Sequence, residues 1–149
     1  MWDQIVDRVR QRFAAARELL ELIPESALTQ KLPIRSNEIS QQYWCIVGAR
    51  ESYAKGIQQG SWAGFSCSLT KADLPDRAKM LAGLDRSAAA LEAAAASAEW
   101  DEPRSKLLLD LLEHETQHQG QLIRYVYGLG LRFPESWLKR WALEQTKEA

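Results

Sequence analysis

The chain has 149 residues, 46% of them apolar and 26% charged, which suits one globular domain with a buried core and excludes a fibrous or disordered chain. Nineteen basic residues nearly cancel twenty acidic ones, and with no run of Lys and Arg to track phosphates, nucleic-acid binding is not expected. The longest small-residue run, Ser87 to Ala98, is mostly alanine and is broken by Glu92, so it falls short of the roughly 20 strongly apolar residues of a membrane span.

The opening stretch, Met1 to Phe13, mixes charged and apolar residues and does not read as an export signal. The expectation is therefore a cytoplasmic protein with no membrane association, in which Cys45 and Cys67 are reduced thiols. The first helix is predicted from Trp2 to Ile23, with Ile5, Val9, Phe13, Ala16, Leu20 and Ile23 at steps of three and four. Pro24 ends it, because the residue before a proline is driven out of the helical region.

A second helix is predicted to open with Ser36 or Asn37 as its N-cap and to carry Ile39, Tyr43, Ile46, Arg50, Tyr53 and Ile57. Gly56, Gly60 and Gly64 blur its end, and Gln58 to Ala72, rich in Gly and Ser, reads as a long loop. The third helix starts near Pro75, with Asp73 and Asp76 as a capping pair, and continues through Leu81, Leu84, Ala88, Leu91 and Ala95. The fourth starts after Asp101, takes Pro103 in its first turn and stops at Gly128-Leu129-Gly130. A short last helix, about Pro134 to Glu144, places Trp137 and Trp141 one turn apart.

No alternating stretch long enough for a strand is present. Amphipathic helices of this length bury their apolar stripes only against one another, so an all-α four-helix bundle with a short C-terminal helix is expected. No repeat, linker or second domain is evident, and residues 1–149 are read as a single domain.

The chain has two histidines, and both fall within Glu113-His114-Glu115-Thr116-Gln117-His118. A spacing of four puts His114 and His118 on one helix face, where both imidazoles can reach one ion. Leu107 and Leu111 precede them on that face, and Gln121 and Tyr125 follow. The competing reading is a pair of core histidines satisfied by hydrogen bonds, but two buried imidazoles need several polar partners, and each unsatisfied group costs about 1–3 kcal/mol.

The segment also spells His-Glu-x-x-His, the short motif of zinc metalloproteases, where the Glu is a general base. Here no Gly-x-x-His continuation follows, the downstream acids in range are Glu135 and Glu144, and no sheet is expected. Glu115 points about 100° away from His114 on the helical wheel and reads as solvated.

His114 to Leu122, followed by Arg124-Tyr125 and Gly128-Leu129-Gly130-Leu131-Arg132-Phe133-Pro134, resembles the last bundle helix of the DinB-like family of small bacterial proteins. Ile46-Val47-Gly48-Ala49-Arg50-Glu51 is similar to the family's other signature, on the second helix. The resemblance runs from about Ser36 onward. It implies a four-helix bundle, often a homodimer, with a divalent metal held by three histidines. Two of these match His114 and His118; the third precedes the Ile-Val-Gly-Ala-Arg-Glu segment, where this chain has Cys45.

Two readings of Cys45 stand side by side. As a thiolate it completes a Cys/His/His site, which favours zinc as the cofactor over manganese or iron. As a buried small hydrophobe it leaves the site weak or lost. Gln42, one turn earlier, is either a donor behind the site or an unrelated core polar group. Tyr125 is either a pocket hydroxyl or a packed aromatic, and Cys67, in the glycine-rich loop, is not expected to ligate.

Three protein ligands leave a position open, as in catalytic zinc sites. Related bundles include enzymes that transfer a low-molecular-weight thiol to an electrophile, so the resemblance implies a metal-dependent thiol transferase acting on small molecules. The alternative is a non-enzymatic, stress-related binding or dimerisation module with a degenerate metal site, in which exposed Trp137 and Trp141 mark a self-association patch.

Overall fold

A computed structural model describes residues 1–147. The protein is all-α: α1 (Trp2–Leu22), a single 3-10 turn (Glu25–Ala27), α2 (Ile39–Gln59), α3 (Arg77–Ser97), α4 (Glu102–Gly128) and α5 (Glu135–Trp141). No strand occurs among the described residues. No helix is long and apolar enough to cross a membrane. α1 and α2 each pack against both α3 and α4.

Local chemistry sets the boundaries, and three of them differ from expectation. Ser36 and Asn37 do not cap α2. The Ser36 hydroxyl accepts from the Leu32 amide at 2.9 Å, and the Asn37 side chain is engaged further along the molecule. Glu38 is the cap instead, with the Gln41 side-chain oxygen accepting from its amide at 3.0 Å. At the other end Gly60 adopts φ 78, the left-handed conformation that closes a helix.

The Asp73/Asp76 pair divides its work. Asp76 caps α3 by accepting from the Lys79 amide at 3.0 Å, while Asp73 accepts from the amide and hydroxyl of Thr70 and so holds the preceding turn. On α3 the buried face runs Met80, Gly83, Leu84, Ser87, Leu91 and Ala94, and Leu81, Ala88 and Ala95 are only half-buried. Alanine on every side of this helix leaves the inward face undefined by composition. α5 ends at Trp141, not Glu144, because Ala142 turns left-handed at φ 49.

The interior consists of two apolar clusters with polar groups between them. One gathers Leu20, Tyr43, Ile46, Leu122, Val126 and Trp137. The other gathers Val9, Phe13, Ile57, Leu91, Leu108 and Leu111. Along α2 and α4 the change from one cluster to the other falls at Arg50 and Glu115, both buried. Such groups persist inside a core only when paired or hydrogen-bonded.

The pairing is direct. Arg50 and Glu115 form a two-pronged ion pair, Nε to Oε1 at 2.6 Å and Nη2 to Oε2 at 3.0 Å, with side chains 1% and 0% exposed. The Arg50 guanidinium lies 3.7 Å from the Phe13 ring centroid, a cation–π contact in a desolvated setting. Glu115 is therefore not solvated, as the helical wheel suggested. It is the partner that an inward-facing arginine on α2 demands.

Candidate metal centre

α2 and α4 run antiparallel: Gln42 faces His118 and Cys45 faces His114, while Asn37, just before α2, meets Tyr125. The long Arg50 side chain reaches back to Glu115, which falls between the two histidines on α4, and a hydrogen-bonded polar chain runs from His118 through Gln42 to Asn37 and Tyr125. Against these polar groups stand the three residues singled out from the sequence.

His114 Nε2 lies 3.2 Å from His118 Nε2 and 3.6 Å from Cys45 Sγ. All three ligand atoms lie within 4.8 Å of one another. Zinc–nitrogen bonds of about 2.0–2.1 Å and zinc–sulfur bonds of about 2.3 Å, at tetrahedral angles, separate two nitrogens by about 3.3 Å and a nitrogen from a sulfur by about 3.6 Å. The two spacings made by His114 match those values, and Cys45 Sγ and His118 lie within 4.8 Å of each other. Cys45, His114 and His118 can hold a metal ion, and they are the one such group of His, Cys, Asp and Glu among the described residues.

The surroundings prepare the nitrogens for that role. His118 Nδ1 is 2.6 Å from Gln42 Oε1, which can only accept, so Nδ1 carries the proton and Nε2 presents its lone pair. Gln42 is itself oriented: its Nε2 donates to Asn37 Oδ1 at 2.8 Å, and that oxygen also accepts from the Tyr125 hydroxyl at 2.6 Å. A ligating histidine held through its other nitrogen by an acceptor is the usual arrangement behind a metal. Gln42 thus stands behind the site, and Tyr125 is both a packed aromatic and the far end of this chain.

His114 is held less firmly. Its Nδ1 is buried without a partner, and Tyr53 sits beside the ring at 6.5 Å between centroids. Burial pushes both imidazoles toward the neutral form; His118 is lowered to about 4, with His114 contributing after burial. Neutral imidazole is the metal-binding form. Burial, and then the charge of Glu115, pushes the Cys45 thiol above its ordinary value. The sulfur is therefore a thiol until a cation displaces its proton.

Cys45 forms part of the wall of an open cleft of about 660 Å³, together with Asn37, Gln41, Trp44, Lys71 and Leu74. His114 borders a second depression with Tyr53 and Gln117. The centre is thus half-buried, reachable from outside and backed by polar groups on its inner side.

Other expected residues lie elsewhere. Gln121 is exposed; the inward stripe of α4 passes through Leu122. Cys67 is free and its thiol faces the carbonyl of Trp44 at 3.4 Å. The protease pattern finds no support in the geometry: Glu115 is committed to Arg50, and Glu135 pairs with Lys139 on the surface at 2.8 Å. Neither Glu135 nor Glu144 joins the ligand group. Trp137 is buried, with Nε1 donating to the Ala15 carbonyl at 2.9 Å. Trp141 lies half-buried over Arg12, so the two tryptophans form no exposed patch.

Sequence reasoning missed the Arg50–Glu115 pair and the part played by Asn37. The signal for the first was present, since an arginine on an apolar stripe needs a buried carboxylate. For Asn37 there was none, because its role depends on where the loop before α2 runs. The chain matches no protein-family model and no curated protein.

Proposed function

We propose that this protein is a DinB-like four-helix bundle that binds zinc through Cys45, His114 and His118 and transfers a low-molecular-weight thiol to a small electrophile. The observation that carries the reading is the convergence of one sulfur and two imidazole nitrogens within 4.8 Å of one another, with Gln42 fixing the tautomer of one ring. A mixed sulfur and nitrogen donor set favours zinc over manganese or iron. The homodimer is carried over from the resemblance to DinB-like proteins, and the cytoplasmic location from the reading of the sequence alone.

Bound zinc would act as a Lewis acid, lowering the pKa of an incoming thiol so that it is a thiolate at neutral pH. The chain's own part is to position and to exclude. Cys45, His114 and His118 would hold the ion, and as three ligands they would leave a position for the incoming thiol. Gln42 keeps the Nε2 lone pair of His118 directed at the centre. Glu115, bound to Arg50, is not available to activate water, which favours thiol transfer over hydrolysis. The cleft beside Cys45, with Trp44 and Leu74 as apolar wall and Lys71 at its edge, is where a small electrophile fits.

The test is turnover of a chromogenic aryl halide with reduced small thiols by zinc-loaded protein, compared with His114→Ala. Rates above the thiol-only background that vanish in the variant support the reading. If zinc binds but no thiol is transferred, the enzyme assignment fails and a binding module remains. Sedimentation of the zinc-loaded protein tests the dimer.

A further inference from the structure

A second polar feature lies away from the metal centre, where α5 docks on α1. Arg12 is 4% exposed, yet its Nη2 has no hydrogen-bond partner, and neither has the buried Nε1 of Trp141. The two residues touch, with the guanidinium 5.1 Å from the indole centroid. The hydrogen bond that Arg12 does make is a long one, Nη1 to Gln119 Oε1 at 3.3 Å. Orphaned buried donors are uncommon and costly.

Two more guanidiniums crowd the same place. Arg8 Nη1 and Arg140 Nη2 both reach one neutral oxygen, Gln11 Oε1, at 3.5 and 3.0 Å. Burial, and then the like charges of Arg140 and Arg8, disfavour the charged form of Arg12. Neighbouring acids are engaged with other groups: Asp7 with Arg10, Glu18 with Ser136, Glu135 with Lys139 and Glu115 with Arg50. Three positive side chains therefore have two amide oxygens between them, Gln119 Oε1 for Arg12 and Gln11 Oε1 for Arg8 and Arg140, and the indole N–H has none.

We propose that this junction binds a tetrahedral oxyanion, inorganic phosphate in its simplest form, through Arg8, Arg12, Arg140 and the indole N–H of Trp141. Phosphate offers several acceptor oxygens and matches the guanidinium fork, which a single amide oxygen does not. A buried water would satisfy one or two donors and leave the charge uncompensated. A monocarboxylate supplies too few acceptors for all four groups. The bound anion would tie α5 to α1, since Arg140 and Trp141 belong to α5 and Arg8 and Arg12 to α1.

The test uses the full chain after chelator treatment, so that phosphate cannot report on the metal centre. Thermal midpoint and tryptophan fluorescence are followed against phosphate, with chloride and acetate at matched ionic strength. A saturable response to phosphate is expected, with affinity about ten-fold or more weaker in Arg140→Gln and in Arg8→Gln. Both of those side chains are exposed, so both variants fold; Arg12→Gln should abolish the response. Phosphate acting no differently from chloride would overturn the site, as would unchanged phosphate affinity in both exposed-arginine variants.

Discussion

Gln42 Oε1 stands 2.6 Å from Nδ1 of His118, and this one contact determines which nitrogen of the ring faces Cys45 and His114. Without an acceptor there, the imidazole could place its proton on Nε2 and close the site to a cation. Asn37 and Tyr125, in turn, keep Gln42 from rotating. Replacing Gln42 with Leu should weaken zinc affinity about 10- to 100-fold, the usual cost of losing a group behind a ligand. Competition with a chromophoric chelator measures it, and wild-type affinity in the variant would remove Gln42 from the account.

Arg50 and Glu115 predict a different response. Glu115→Gln leaves a buried guanidinium without its counter-charge, which should cost about 3–5 kcal/mol of stability. The double change Arg50→Met with Glu115→Leu removes both charges and should cost clearly less than Glu115→Gln alone. Urea denaturation of the three proteins decides this. A double variant that loses as much stability as Glu115→Gln, or more, would mean that the pair is not a coupled unit.

Gly48 lies under the loop that follows α2. A Cβ there would stand 2.4 Å from the end of the Phe65 ring and 2.9 Å from Cys67 Cβ. The ring can swing away, but the Cys67 Cβ sits close to the loop backbone. Gly48→Ala should therefore cost about 1–3 kcal/mol, as overpacking does, and should speed proteolysis between Gly60 and Asp76. A variant as stable and as resistant as the parent would contradict this packing.

Asp73 supplies the pH dependence. Its carboxyl is lowered to about 2, first by the Thr70 amide, then by the Thr70 hydroxyl and Lys79. The folded value lies below the ordinary 3.8, so the unfolded chain binds more protons over that interval. The stabilisation is present above pH 3.8 and is lost as pH falls through about 2. Stability measured across this acid limb should fall less steeply in Asp73→Ala than in the parent. Parallel curves would show that Asp73 does not hold the turn before α3.

The helices could be read from the chain because their signals are local: apolar spacing, prolines at the starts and glycines at the ends. The α2 cap could not, because Ser36 and Asn37 looked better suited than Glu38 until their side chains were spent on Leu32, Gln42 and Tyr125. On α3 Leu84 and Leu91 face inward as expected, but Leu81, Ala88 and Ala95 stand one residue past the buried Met80, Ser87 and Ala94, because alanine marks no side. At the site, the ligand positions followed from the spacing of the histidines and from the resemblance that pointed to Cys45. The polar groups around them did not, since Asn37, Gln42 and Glu115 take their roles from partners 65 or more residues away.

The most direct test of the central claim is metal content by elemental mass spectrometry on tag-free protein, with Cys45→Ser and His118→Ala alongside. The account predicts close to one zinc per chain in the parent and a marked loss in both variants. Negligible metal in a well-folded parent, even after zinc is added, would contradict it and leave a binding module without a metal centre.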